Sequence, residues 1–290
     1  MLLFCPSSSA WQSEGFVSFL ESQGKTRWTI KQTKNYAIKY GHILNTGDAS
    51  ELMSLRTRHN ALSALANLAK YQGRYQVFLE IRQRYALKWT SGNDSLQTLQ
   101  RFFNPELSLD TMLDWVRKAI AALPADMASI IKFNCLTGLR PAEAVESVRL
   151  LNSGNLGCQY YNPERQALEH FRFPEIFLRR TKKAYLSFIT CEQLSAIGVL
   201  DCKNPIPTIP TPTHNAIRLA CRKRSLKMDM RYCRKIFGSW LHSQSGIATE
   251  EIDFLQGRVN PSVFSRHYLT PSQDLKSKVI EALEQLQPQL

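Results

Sequence analysis

Thr137-Gly138-Leu139-Arg140-Pro141-Ala142-Glu143 decides how the chain is read, because one helical pattern ends in it and another begins. Upstream, ADMASIIKFNCLTG (125–138) has helical apolar spacing and stops at glycine. Downstream, PAEAVESVRLL (141–151) carries proline in its first turn, where a missing N–H costs nothing. Arg140 therefore stands at the mouth of a helix. Glu143 lies one turn later, placed to orient that arginine rather than to act as an acid or base.

Working outward, LDTMLDWVRKAIAAL (109–123) predicts another helix before this motif. After it, EIFLRRTKKAYLSFIT (175–190) changes character. Two apolar runs, Ile176-Phe177-Leu178 and Tyr185 to Ile189, flank the basic RRTKK, which predicts a β-hairpin with Lys182 at its tip and Lys183 beside it. The proline-rich NPIPTIPTPTHN (204–215) is a loop that leads into the helix NAIRLACRKR (215–224). The rest reads as helical: MRYCRKIFGSWLHSQSG (230–246), ATEEIDFLQG (248–257), SVFSRHYL (262–269) and SQDLKSKVIEALEQL (272–286). In the last of these, Val279, Ile280, Leu283 and Leu286 form an apolar stripe that docks on its own domain or on a neighbouring subunit.

The N-terminal part, residues 9–88, reads as four short helices. Trp11, Phe16, Phe19 and Leu20 make the first stripe, which Gly24 closes. Ile30, Tyr36, Ala37, Tyr40 and Ile43 make the second, opposite Lys31, Lys34 and Lys39. Arg56 precedes and Arg58 opens RHNALSALANLAKYQG (58–73), and RYQVFLEIRQRYALKW (74–89) carries Arg74, Arg82, Arg84 and Lys88 on its expected outer face. The polar TSGNDS (90–95) is the best linker. The expected organisation is a helical domain at 1–90, a linker at 91–96 and a second domain at 97–290. The fold class is mainly α with a small β-hairpin or sheet.

Charge narrows the partner. Lysine and arginine number 37 against 24 acidic residues, a formal excess of +13 that favours a polyanion, nucleic acid first. No run approaches the roughly 18 apolar residues of a membrane span, and the N-terminus makes a poor signal peptide. Seven scattered cysteines without a CxxC pair read as reduced, buried thiols of an intracellular, cytoplasmic protein. The histidines lack metal-ligand spacing, and neither a P-loop nor a clustered carboxylate site is present, so no metal or other cofactor is expected.

Five blocks then follow one another in order: Arg140 in TGLRPAE, Lys182 on the hairpin, Arg231-x-x-Arg234, Arg258 after Gly257, and Tyr268 in Arg266-His267-Tyr268. This set resembles the tyrosine recombinase (integrase) family over about 130 residues, Thr137 to Tyr268. Arginine stands at 231, where most bacterial and phage members have histidine, and at 258, where they have histidine or tryptophan. In this the chain resembles the archaeal fusellovirus-type integrases of viruses and plasmids. The stretches ILNTGDASELMSL (43–55), ALANLAKYQGRY (64–75) and LQGRVNPSVFSRHY (255–268) look like that group as well.

The resemblance implies a helical core-binding domain followed by a catalytic domain. It implies double-stranded DNA attachment sites as substrate, and a homo-tetramer on DNA. It makes Tyr268 the nucleophile and Lys182, with Lys183 as fallback, the general acid. Arg140, Arg231, Arg234 and Arg258 become a cage around the scissile phosphate. Guanidinium suits that task because it is planar, always charged and able to donate two parallel hydrogen bonds to phosphate. Tyrosine, with a free pKa of about 10, needs such a positive field to become a nucleophile at neutral pH. His267 is a phosphate contact or an ordinary polar neighbour. Lys31, Lys34, Arg56, Arg58, Arg222, Lys223 and Arg224 are expected on the DNA backbone, a solvated basic face being the alternative. Tyr232, between the two helical arginines, is the rival nucleophile. A type IB topoisomerase-like relaxase and a non-catalytic DNA-binding protein are the rival functions.

Overall fold

The structure is a computed structural model that describes residues 13–55, 57–89, 108–153, 155–179, 182–199, 211–226, 230–258 and 274–290. The chain divides into two compact units, Met1–Phe103 and Asn104–Leu290. The linker expected at 91–96 lies outside the described residues.

The N-terminal unit contains α1 (Ser13–Ser22), α2 (Arg27–Tyr40), α3 (Ile43–Thr46), a 3-10 turn (Ser50–Leu52), α4 (Arg58–Tyr71) and α5 (Tyr75–Arg84). Helix α4 is the hub, touching α1, α2 and α5. Its alanines, Ala61, Ala64 and Ala69, are fully buried and let neighbouring backbones approach closely. Phe16 and Leu20 of α1, and Ile30, Ala37 and Tyr40 of α2, meet in this core as their spacing predicts. The second apolar stripe does not stay on one helix. Gly41 ends α2 with a hydrogen bond to the Ala37 carbonyl, and Ile43 restarts the chain in α3. Arg74 is not on an outer face. Its Nη1 donates to Asn45 Oδ1 at 2.7 Å and its Nη2 to the Leu44 carbonyl at 2.6 Å, so it ties α3 to the start of α5.

The C-terminal unit is built on α6 (Leu109–Ala122), α7 (Ala125–Thr137) and α13 (Arg231–Ser245), which contact one another. Around them lie α8 (Pro141–Leu151), α9 (Asn155–Tyr160), α10 (Pro174–Phe177), α11 (Cys191–Ala196), α12 (His214–Lys223), α14 (Thr249–Leu255) and α15 (Leu275–Leu286). The tail helix α15 packs on its own unit. Val279, Leu283 and Leu286 are fully buried there, and Trp240 Nε1 of α13 donates to the Ala282 carbonyl at 2.8 Å.

Two small antiparallel sheets complete the unit: β1 (Tyr161–Asn162), β2 (Ala167–Leu168) and β5 (Ser187–Phe188) in the order β1-β2-β5, and the pair β3 (Leu178–Arg179) with β4 (Lys182–Lys183). The hairpin is therefore shorter than predicted. Pro174 starts a helical turn that buries Phe177, and this removes most of the first apolar run from the strand. The second run pairs elsewhere, Ser187 opposite Leu168 and Phe188 opposite Ala167. Lys182 is in the last pair on the turn side of the hairpin, in register with Arg179. The reading of every cysteine as a reduced thiol is also corrected. Cys135, Cys221 and Cys233 are buried and free, but Cys191 is disulfide-bonded, at a half-buried position opening α11 rather than in the core. Among the described residues no helix is long and apolar enough to cross a membrane.

Candidate active site

The site grows from the turn between α7 and α8. Helix α7 ends at Gly138, whose φ of 62° is left-handed. A Cβ there would also meet the Phe237 ring at 2.3 Å, so glycine is required twice over. The buried Asn134 locks the turn by donating Nδ2 to the Leu139 carbonyl at 2.7 Å. Arg140 then caps α8. Its backbone N–H donates to Glu143 Oε2 at 3.1 Å and its Nη1 to Glu143 Oε1 at 3.0 Å. The Glu143 side chain is fully buried and that of Arg140 is 21% exposed, so the carboxylate is an internal anchor and the guanidinium reaches outward.

Arg234, on the second turn of α13, meets the same turn from the other side. It is buried, donates Nη1 to the Gly138 carbonyl at 2.7 Å and donates Nη2 to the Gln256 carbonyl. Gln256 Nε2 returns a bond to the Arg234 carbonyl at 2.8 Å. Burial, and then the charges of Arg140 and Arg258, bring the Arg234 pKa down to about 10, against the opposing pull of Glu143 and Asp253. Among the described residues, two further guanidiniums and two carboxylates thus act on Arg234. Arg258 follows Gly257 at the end of α14. Its backbone N–H bonds the Asp253 carbonyl at 2.7 Å, and its exposed Nη1 stands 3.5 Å from Asp253 Oδ1.

The hairpin closes on this cluster through backbone. The Lys183 carbonyl accepts Arg140 Nη1 at 3.2 Å, and Gly257 is pressed against the same carbonyl. The backbone of Lys182 is thereby adjacent to the cluster; its side chain lies outside the described part, while that of Lys183 is exposed. Arg231 is exposed at the first position of α13, one turn before Arg234. Tyr232 does not share their face. It is buried, edge-on to Trp115 at 5.8 Å and 84°, and so is a core residue and a poor rival nucleophile. Tyr268, His267 and Arg56 lie outside the described residues.

Of the expected DNA-backbone contacts, three belong to the C-terminal unit. Arg222, Lys223 and Arg224 are exposed at the end of α12. Lys31 is exposed on α2, while Lys34 and Arg58 are half-buried.

Three supports escaped the sequence reading: Asn134, Gln256 and a buried polar chain. In that chain Ser147 Oγ bonds Tyr160 OH (2.7 Å), Tyr160 OH bonds His170 Nδ1 (2.6 Å) and His170 Nε2 bonds Ser187 Oγ (2.9 Å). Ser187 Oγ then donates to the Thr137 carbonyl at 3.3 Å, next to Gly138. The chain bolts α8, α9 and β5 to the end of α7. Its partners are too far apart in sequence for any spacing rule to find them.

Chemically, the cluster is a preorganised excess of guanidinium charge that backbone carbonyls and one buried carboxylate hold in place. Such a site stabilises negative charge developing on a phosphate. No protein-family model matches the chain, and a search of curated proteins finds no match.

Proposed function

We propose that the chain is a site-specific DNA recombinase that integrates and excises a mobile element through a 3′-phosphotyrosyl intermediate. The observation that carries this reading is the gathering of Arg140, Arg234 and Arg258 around one turn, from positions 94 and 24 residues apart, with the β3–β4 hairpin against them. An excess of like charge, one member of it buried, is costly unless an anion completes it. The scissile phosphate would be that anion.

Tyr268 attacks the phosphorus; the Tyr268 O–P bond forms as the P–O5′ bond breaks. Arg140 and Arg234 stabilise the charge on the non-bridging oxygens, with Arg231 and Arg258 adding to the field. Lys182 gives its proton to the leaving 5′-oxygen. The covalent link conserves the energy of the broken bond, so rejoining to a second duplex needs neither ATP nor a metal. Arginine is a poor proton acceptor, so the Tyr268 proton leaves to water or a phosphate oxygen, helped by the positive field. The partners are double-stranded attachment sites in the host cytoplasm, bound by a tetramer.

A nicked suicide substrate tests this. The wild type traps a covalent complex and Tyr268→Phe traps none; any other result removes Tyr268 as nucleophile. A two-site assay separates recombination from topoisomerase-like relaxation, which would relax supercoils without exchanging sites.

A further inference from the structure

Two glycines of the C-terminal unit share a left-handed backbone and differ in what surrounds them. Gly246, φ 61°, follows α13, and nothing lies within 4 Å of where a Cβ would stand. Gly257, φ 64°, precedes Arg258; a Cβ there would lie 1.5 Å from the Lys183 carbonyl oxygen and 2.4 Å from its carbon. The obstacle is backbone, so no rotamer relieves it. Strand β4 is held at this point from two further sides. Arg140 Nη1 donates to the Lys183 carbonyl, and the Ala184 N–H donates to the Phe177 carbonyl at 2.9 Å.

We propose that Gly257 is a positioning residue for the general acid: its missing side chain sets how deeply the hairpin seats against the arginines, and so where the Lys182 ammonium meets the leaving 5′-oxygen. Lys182 is the chain neighbour of the pinned residue, about 3.8 Å away between Cα atoms, so displacing the pivot displaces it. The proposal rests on the recombinase reading. In the step concerned the proton passes from the ammonium to O5′ as the P–O5′ bond breaks.

The experiment compares a suicide substrate carrying the normal phosphodiester with one carrying sulfur at the bridging 5′ position. A thiolate leaves without a proton, thiols being acidic near pKa 8.5, about seven units below water. With the normal substrate, Gly257→Ala is expected to cleave about a hundredfold more slowly or worse, in the range that general acids supply. With the sulfur substrate its rate returns to within a few-fold of wild type, as does that of Lys182→Ala. Gly246→Ala imposes the same backbone strain without the collision and cleaves both substrates like wild type.

A Gly257→Ala enzyme equally slow on both substrates overturns the proposal, because displaced arginines are not rescued by sulfur. An unimpaired Gly257→Ala enzyme overturns it too. So does one that fails to fold in a thermal melt, since the two-residue hairpin and not the core is what should yield. A wild type that cleaves neither substrate defeats the recombinase reading itself.

Discussion

The two units use arginine and lysine differently. In the N-terminal unit the cations are spread along helix faces, and Arg74 holds α3 to α5 through two hydrogen bonds. In the C-terminal unit Arg234 makes a similar pair of carbonyl bonds but does so buried, in the field of Arg140 and Arg258. Arg74 is a strut whose bonds stabilise the fold. Arg234 sits buried in the field of two like charges, a cost that Glu143 and Asp253 offset in part. On the proposed function, spread charge would attract DNA in general and gathered charge would act on one phosphate.

The largest effect that sharpens this contrast is Arg234→Ala. Losing one preorganised donor from a phosphate site should slow covalent trapping by about a hundred- to a thousandfold. Arg74→Ala should leave trapping at saturating DNA unchanged and lower stability by about 1.5–3 kcal/mol, the usual worth of hydrogen bonds to a charged group. Trapping rates and denaturant melts on both variants check this. Equal losses of trapping would erase the distinction between strut and cage.

How much of this could be read from residues alone follows from the reach of each interaction. The Arg140 cap was legible because Gly138, Pro141 and Glu143 sit within one turn of it, and each has a known place at a helix end. The mainly helical fold was legible because apolar spacing repeats over whole helices. The hairpin was only half legible. Strands of two residues have no period to read, and the apolar run Tyr185 to Ile189 gave no sign that it pairs with Ala167 and Leu168. The carbonyls that hold Arg234 are 96 and 22 residues away, and the partners of Arg74 are 29 and 30 away. No local pattern encodes such bonds.

A second difference between the units is their response to acid. His170 is fully buried in the C-terminal unit and its pKa is lowered to about 3 by burial. His42 and His59 of the N-terminal unit are exposed. Between the ordinary value of 6.5 and about 3, unfolded chain takes a proton that folded His170 does not. Stability is therefore full above pH 6.5 and falls as pH drops through that window, by about 1.4 kcal/mol per unit for one proton. Hydrogen exchange against pH should show the C-terminal unit opening first. In His170→Gln this excess slope should vanish, while stability at neutral pH drops because Tyr160 and Ser187 lose part of their chain. An unchanged slope would mean that His170 is not the group that acid attacks.

The smallest effect belongs to the spread charge. Lys31 is exposed on α2, and Lys34 is half-buried one turn after the core residue Ile30. If each contacts one phosphate, removing either releases one fewer counterion on binding. The slope of log affinity against log salt should then fall by about one per lysine, equally for specific and random DNA. Trapping at saturating DNA should not change, because the proposed chemistry gives neither lysine a part in the arginine cage. A variant that keeps the salt slope makes that face merely solvated. A variant that alters trapping while keeping affinity would show that α2 contributes to the chemistry, and the separation of spread from gathered charge would then fail.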